Sequence, residues 1–240
     1  MEELFYKNAP IIEAIIDIRA AASSSLNVAT FKEFADDLKS NYSQSMSLYS
    51  HQFTFNALSP AQIETKGEVT GIRILSNDEK RVVIVNREGF AFSHLAPYEN
   101  WAKFREDAEQ VWSAYLKHLQ PQIFSRVALR YLNLFRFSED NLSLPRYFTI
   151  FPHLEAINSK FSQHELRVKI ELNEASAVIT QKQLPAQDGI QILLDIDVFK
   201  ESGLPMNSSE IWDCLSPLRD HKNRLFRQCL TYEGERRIRE

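Results

Sequence analysis

The sequence predicts an α+β fold made of two similar halves, each with the element order β-α-β-β-β-α. Strand-like apolar runs alternate with helical patterns, and the same order starts again from Arg126. Each half also ends in an amphipathic helix that contains a tryptophan, at 98–119 and from about Ser208. Such units form largely antiparallel sheets with helices packed on one face. We expect a first half at 1–121 and a second at 122–240, joined in one compact unit as a continuous sheet or as two facing sheets.

The composition is that of a globular protein with no bias toward nucleic acid or membrane. Hydrophobic residues make up 44% of the 240 residues and charged residues 25%, which allows a sizeable core. The formal net charge of −4 disfavours a general nucleic-acid binder. No apolar run approaches the roughly 18 residues of a membrane span, and the segment MEELFYKNAP lacks the apolar stretch of a secretory signal. We expect a cytoplasmic protein without membrane contact, in which Cys214 and Cys229 are reduced core residues.

The first half begins with a strand that is apolar on both faces. Pro10 precedes a run of isoleucines that only Glu13 and Asp17 interrupt, a pattern typical of a central strand. A helix is predicted from Thr30, because apolar residues follow at helical spacing and Thr30 with Glu33 matches a capping box.

The rest of the first half predicts a hairpin and a long helix. Segment 41–66 is ambiguous, with only weak strand-like alternation. TGIRILSN and KRVVIVNREG are predicted strands joined by a turn at 77–79, and the second bends or ends at Gly89, after which the chain stays extended. A helix is predicted over 98–119 and ends before Pro121.

The second half repeats this order with clearer strands. VALRYLNLFRF, ELRVKIELN, SAVITQKQL and IQILLDIDVF are predicted strands, and the middle two form a hairpin. Segment 139–163 is expected to include a short helix that covers the sheet. The last helix is predicted to begin at a cap among Asn207, Ser208 and Ser209. Its expected core stripe is Ile211, Trp212, Leu215, Leu218, Leu225 and Cys229.

One group of charges lies inside the two strands that open the halves: Glu13, Asp17, Arg19, Arg126 and Arg130. Charges in apolar strands are costly unless they are paired, so we expect cross-strand ion pairs if the two strands are neighbours. A structural ion-pair network is the favoured interpretation. The alternative is a polar pocket between the halves, in which the arginines bind an anionic ligand such as a nucleotide.

Asp195 and Asp197 are the weak candidates for a metal site. They lie on one face of a strand, about 7 Å apart by strand rise, so they suit a divalent cation or an acid–base pair. Exposure to solvent, or pairing with Arg167 and Lys169 on the next strand, is favoured. Because nucleophile-elbow, phosphate-loop and dinucleotide motifs are missing and the histidines lack metal-ligand spacing, we predict no catalytic residue, cofactor or metal.

The last helix carries a basic surface. His221, Asn223, Arg224 and Arg227 are candidates for contact with phosphate or with an acidic partner. A solvated surface that suits the carboxyl end of a helix dipole is the favoured interpretation. Asn223 is expected to bond to a neighbouring strand or loop.

Four segments together resemble one protein family. They are PIIEAIIDIR, GFAFSHLAPYENWAKFREDAEQVW, RVALRYLN and LSPLRDHKNRLFRQCLT. In this order they resemble a sporadically distributed prokaryotic family of similar length, and the resemblance covers nearly the whole chain. It implies no substrate, cofactor or catalytic residue. Families of this kind often accompany mobile-element or defence gene clusters, which is an associational pointer only.

Three functions follow in order of preference. The first is a non-catalytic interaction or regulatory protein with a protein partner, as an accessory component of a mobile-element or defence cluster. The second is a small-molecule or nucleotide-binding protein with its pocket between the halves, which leaves room for an enzyme. The third is a nucleic-acid binder that uses the basic last helix. Free sheet edges would also allow a homodimer.

Overall fold

The chain folds into one antiparallel sheet with helices. A computed structural model describes residues 6–21, 27–53, 65–139, 142–153 and 163–239. Nine strands in these residues have the order β2-β3-β4-β5-β1-β6-β9-β8-β7, and five α-helices accompany them, which confirms the α+β class. The strands are β1 Ile11–Ala21, β2 Gln44–Phe53, β3 Thr65–Leu75, β4 Arg81–Asn86, β5 Gly89–Leu95, β6 Ile123–Phe137, β7 Glu165–Leu172, β8 Ala175–Leu184 and β9 Ile190–Lys200. The helices are α1 Val28–Leu38, α2 Trp101–Leu119, α3 Leu144–Tyr147, α4 Leu215–Gln228 and α5 Tyr232–Arg239.

Packing divides the chain into two compact units. The C-terminal unit consists of Met1–Asp17, Leu95–Tyr98 and Arg126–Glu240, and the N-terminal unit consists of Ile18–His94 and Glu99–Ser125. The predicted similarity of two halves, with its division between 121 and 122, stays a prediction, because units defined by packing do not test an internal repeat.

The N-terminal unit is a meander of antiparallel strands under two helices. The pairs Ile72↔Val85 and Val83↔Phe92 set the registers of β3, β4 and β5. Helix α2 packs its aromatic residues against β5, where the ring of Trp112 meets the ring of Phe90 edge-on at a centroid distance of 5.2 Å. The predicted hairpin between β3 and β4 and the long apolar stripe of α2 are therefore confirmed.

Both helices of this unit begin at an asparagine cap. The side chain of Asn27 accepts a hydrogen bond from the Thr30 amide, so α1 begins before the residue that was expected to cap it, and the capping-box prediction at Thr30 is wrong. Asparagine in extended conformation binds the exposed amides of a first turn well, which explains its selection as cap. Asn100 caps α2 in the same way, so the helix begins at Trp101, three positions after the predicted start at 98.

Gly89 follows the end of one strand and begins another, in agreement with the predicted bend or strand end and the extended segment after it. The chain turns at Arg87 and Glu88, and β5 then runs back along β4. Gly89 has a φ of 154°, and a Cβ atom there would lie 2.2 Å from the Ile18 carbonyl oxygen. The predicted first half therefore contains five strands instead of the four expected. Residues 54–64 of the ambiguous segment lie outside the described residues.

The C-terminal unit has all its described helices on one face of its sheet. Register pairs such as Tyr131↔Ile196 point their side chains to this face, which we call the helix face. Tyr147, at the end of α3, places its ring 4.9 Å from the ring of Phe137, and Arg237 of α5 lies over the same phenylalanine. Helix α4 packs on β9. The opposite face, which carries Arg126, we call the open face.

The predicted last helix is three segments. A 3₁₀ turn at Ile211–Cys214 leads into α4. The helix is then interrupted at 229–231, where Leu230 forms a β-bridge with Phe148, before α5 begins. The break lets Gly234 approach the Tyr147 carbonyl, where a Cβ atom would be only 2.1 Å away. The Asn207 side chain accepts from the Ser209 amide in a turn ahead of the 3₁₀ segment, so a cap of one long helix is wrong there.

The core residues predicted for this region are buried. All members of the expected stripe, from Ile211 to Cys229, are at most 6% exposed. Cys214 and Cys229 are both free thiols, but only Cys229 is buried, so the prediction that Cys214 is a core residue is wrong. The predicted short helix of the second half corresponds to α3, while 154–162 lie outside the described residues. Among the residues that the structure describes, no helix is long and apolar enough to cross a membrane.

Candidate functional site

Arg126 is the centre of an ion-pair network on the open face. It lies on β6 and is only 8% exposed. Its Nη1 donates to Asp17 Oδ1 at 2.5 Å and its Nη2 donates to Asp197 Oδ2 at 2.7 Å. The guanidinium carbon also lies 4.6 Å from the centroid of the Phe199 ring. β1, β6 and β9 thus contribute one member each to a cluster in which a buried cation already holds two carboxylates.

Arg130 forms a second pair beside this network. Its Nε and Nη2 donate to the two carboxylate oxygens of Asp195 at 2.8 and 2.5 Å, which is the bidentate geometry that guanidinium favours. This bond raises the pKa of Arg130, and the charge of nearby Glu13 acts in the same direction. Glu13 itself is half-buried on β1. Arg19 is exposed on the same strand, within the part assigned to the N-terminal unit.

Asp197 is the member with incomplete hydrogen bonding. Its Oδ1 is buried and has no hydrogen-bond partner among the described residues. Burial raises the pKa of this carboxyl group, while the charges of Arg126 and Arg130 oppose the rise. The carboxyl group of Asp197 is therefore partly desolvated, and its charged form is stabilised by the positive charges of Arg126 and Arg130.

The expected pairing of the two aspartates with Arg167 and Lys169 is wrong. Asp195 lies opposite Thr180 and Asp197 opposite Val178 on β8, so the β7 side chains are one strand further away. Arginines of β6 bind both aspartates instead. No group of three or more metal-ligating side chains occurs in the described ranges, and a cation at this pair would have to compete with both guanidinium groups.

The three arginines of α5 are paired within the C-terminal unit. Arg236 and Arg239 form salt bridges with Glu233 and Glu235 of their own helix, α5. Arg237 donates to the Arg136 carbonyl and stacks on Phe137.

On α4 the candidate residues have different surroundings. Arg224 and Arg227 are exposed, and Arg224 Nη2 lies 2.5 Å from His221 Nδ1. Partial burial and the Arg224 charge lower the pKa of His221, so its imidazole favours the neutral form near neutral pH. The Asn223 side chain is half-buried, and within the described part of the chain it does not make the expected hydrogen bond to a strand or loop.

Lys222 of α4 was not singled out from the sequence, although it has unusual surroundings. Its Nζ lies 3.7 Å from the centroid of the Tyr131 ring on β6. Loss of hydration, with a smaller contribution from the charge of Arg219, lowers the pKa of Lys222 to about 7. The Tyr131 hydroxyl lies 2.9 Å from the hydroxyl of Tyr98, and burial raises the pKa of Tyr131 well above its usual value.

The sequence does contain a signal for this lysine. Lys222 follows Leu218 by four residues and precedes Leu225 by three, so it occupies the apolar stripe of the helix. A lysine in a core position is expensive unless it is paired or its charge is partly lost. The gap between Leu218 and Leu225 in the predicted stripe therefore marks the position of a charged residue within an apolar surface of the helix.

The open face also carries an aliphatic centre. Leu134 of β6 lies opposite Leu193 of β9, and Leu132 follows along the same face, with all three side chains partly exposed. Charged residues surround them: Lys182 is opposite Leu193 and forms a salt bridge of 3.1 Å with Glu165. The open face thus combines partly exposed leucines with a charged periphery.

Comparison with models of known protein families and with curated proteins found no match. The fold and these groups of residues therefore carry the functional argument.

Proposed function

We propose that the protein is a non-catalytic interaction or regulatory protein that binds a protein partner through the open face of its C-terminal unit. The observation that carries this proposal is the aliphatic centre of Leu132, Leu134 and Leu193 within a charged periphery. Protein interfaces have this organisation, with an apolar core and a polar rim. Burial of these leucines by a partner would stabilise a complex, while the charged periphery would select the partner.

The ion-pair network supports this function over an anion-binding pocket at the same residues. A ligand phosphate at Arg126 or Arg130 would have to displace aspartates at 2.5–2.8 Å. Removing one partner from such pairs is costly, because it leaves a buried charge uncompensated. The pairs therefore suit a rigid support for the open face better than a receptor for free anions.

The partner expected is the product of a neighbouring gene. This choice of partner is supported by the resemblance to families that accompany mobile-element or defence gene clusters. Pairing of two copies through free sheet edges would instead give a homodimer, and the same experiment separates the two.

The test is affinity purification of the tagged full-length chain from its native host, followed by mass spectrometry. The wild type is compared with Leu134→Lys, on the open face, and with Met206→Lys, a matched change at a side chain that is 96% exposed. We expect one stoichiometric protein with the wild type and with Met206→Lys, and its loss with Leu134→Lys. A thermal unfolding curve establishes that each variant is folded, and Leu193→Lys replaces Leu134→Lys if that variant is not.

Three outcomes would overturn the proposal. A partner that Leu134→Lys and Leu193→Lys both retain does not use the open face. A second copy of the chain as the only bound protein would indicate a homodimer. A chain that elutes with no protein partner, or with nucleic acid, would favour one of the other two functions.

A further inference from the structure

Lys222 is a residue of α4, and its side chain packs on the helix face, on the opposite side of the sheet from the open face. Its ammonium is placed over the ring of Tyr131, 3.7 Å from the centroid. Tyr131 is 2% exposed and its hydroxyl is paired with the hydroxyl of Tyr98 at 2.9 Å. Arg219, one turn earlier on α4, contributes a second positive charge. We call Tyr98, Tyr131, Arg219 and Lys222 the lysine site; all four belong to the C-terminal unit.

Lys222 forms no salt bridge with an acidic residue in the part of the chain that the structure describes. Within the described ranges no carboxylate lies within ion-pair distance of its Nζ, and the charged group that acts on it is Arg219, which has the same sign. The face of an aromatic ring offsets part of the cost of a dehydrated ammonium. It does not neutralise the charge, so a dehydrated cation beside a second cation favours a neutral amine or a bound anion.

The lysine site lies partly at the protein surface. Lys222, Arg219 and Tyr98 are each partly exposed, whereas Tyr131 beneath them is buried. A structural lysine on an apolar stripe usually extends its ammonium into water. Lys222 instead places its ammonium on a buried ring, which leaves it desolvated although part of the side chain contacts solvent.

We propose that the lysine site binds a small ligand through an oxyanion group, a phosphate or a carboxylate, that pairs with Lys222 above Tyr131 and is reinforced by the positive charge of Arg219. The site is separate from the open face and independent of the partner proposed for it. Its chemistry is ion pairing with a protonated amine, so binding requires the charged form of Lys222. A bound anion stabilises that form and must be accompanied by proton uptake near neutral pH.

The probes are sulfate and acetate, which represent phosphate and carboxylate groups and keep a constant charge between about pH 6 and pH 8.5. Isothermal titration calorimetry of the full chain, at constant ionic strength, gives the affinity of each. We expect binding of at least one probe at about pH 6, weaker by at least about tenfold at about pH 8.5, where little Lys222 is protonated. Titrations near pH 7 in buffers of different ionisation enthalpy should show proton uptake.

Three variants identify the responsible group. Lys222→Met should abolish the binding, while Lys32→Met, a matched change at an exposed lysine of α1, should leave it unchanged. His221→Gln removes the neighbouring imidazole, whose pKa partial burial and the charge of Arg224 lower, and it should retain the pH dependence. If Lys222→Met does not fold, Lys222→Gln takes its place, and the wild-type pH dependence remains a test by itself.

The proposal is wrong if neither probe binds at about pH 6, or if the affinity does not change with pH. It is equally wrong if the Lys222 variants bind as the wild type does. Binding of sulfate alone would identify a phosphate-type ligand, and binding of acetate alone would identify a carboxylate. Because the open-face variants do not touch this site, failure here leaves the proposed protein partner untested and intact.

Discussion

Arg126 is a charged residue whose burial is compensated by two carboxylates. It is 8% exposed and donates to both Asp17 and Asp197. The desolvation of a buried guanidinium costs more free energy than an exposed ion pair contributes, so its charge must be compensated by close carboxylates. Arg126 therefore stabilises the C-terminal unit mainly because it compensates the negative charges of Asp17 and Asp197.

Arg126→Met should therefore destabilise the protein by about 3 kcal/mol, because it leaves Asp197 partly buried without its cation. Addition of Asp197→Asn should restore a large part of that loss, since the amide carries no charge. Urea unfolding of the single and double variants gives the coupling. Arg224→Met, at an exposed site on α4, is the control and should change stability by less than about 0.5 kcal/mol. Equal destabilisation of the single and double Arg126 variants would mean that apolar packing, and not charge, is the cause.

At the scale of elements, the turn between β4 and β5 depends on Gly89. Its φ of 154° is a backbone conformation that residues with a Cβ atom rarely adopt. A Cβ atom would also lie 2.2 Å from the Ile18 carbonyl oxygen, which is backbone and cannot move aside cheaply. Two strands and their turn thus depend on one residue without a side chain.

Gly89→Ala should cost about 3 kcal/mol or more, because it combines backbone strain with a clash. Gly203→Ala is the matched control: its φ is +60°, but the nearest atom to a Cβ there is Lys200 Cε at 3.7 Å. We expect a loss of about 1 kcal/mol for this control. Chemical unfolding of both variants measures the difference. Similar losses for the two would show that the close approach to Ile18 does not constrain the turn.

Strand periodicity and apolar spacing predicted most elements, and the failures have local causes. β7 and β9 were predicted from alternation, because burial that differs between two faces leaves period two in the sequence. β6 was predicted from its β-branched and aromatic residues, and β8 as the hairpin partner of β7. A bend or strand end at Gly89 was predicted, but the reversal of the chain that pairs β5 with β4 was not, because the φ of a glycine cannot be read from its neighbours. The break after α4 was missed because apolar spacing continues across it, and only the tertiary bridge of Leu230 to Phe148 interrupts the helix.

The sequence predicted the partners of some candidate residues correctly and those of others wrongly. The pairing of Arg126 with Asp17 follows from the rule that charges in apolar strands need partners. The partners of Asp195 and Asp197 were assigned to the wrong strand, because chain order favoured β7 and β8 while the sheet places β6 beside β9. Strand order is set by long-range pairing, which a single sequence does not contain.

At the scale of the whole molecule, charge distribution decides between a protein partner and nucleic acid. The net charge is −4, and the arginines of α5 are bound by neighbouring carboxylates or a carbonyl. Nucleic-acid binding draws its affinity from several cations that face phosphates together. Arg224 and Arg227 are the exposed arginines of α4 that remain for this role, and two cations give a weak footprint.

The full chain should therefore show no binding to generic DNA or RNA at about 150 mM salt, and at most a weak shift at about 50 mM. Fluorescence anisotropy of labelled single-stranded and double-stranded oligonucleotides at both salt concentrations measures this. The double variant Arg224→Glu with Arg227→Glu is the matched control and should behave as the wild type does, because neither the open face nor the lysine site uses these two exposed arginines. Salt-dependent binding by the wild type that this variant abolishes would instead assign the basic surface of α4 to nucleic acid. In that case the sheet would act as a scaffold for α4, and the open face would no longer be the functional surface.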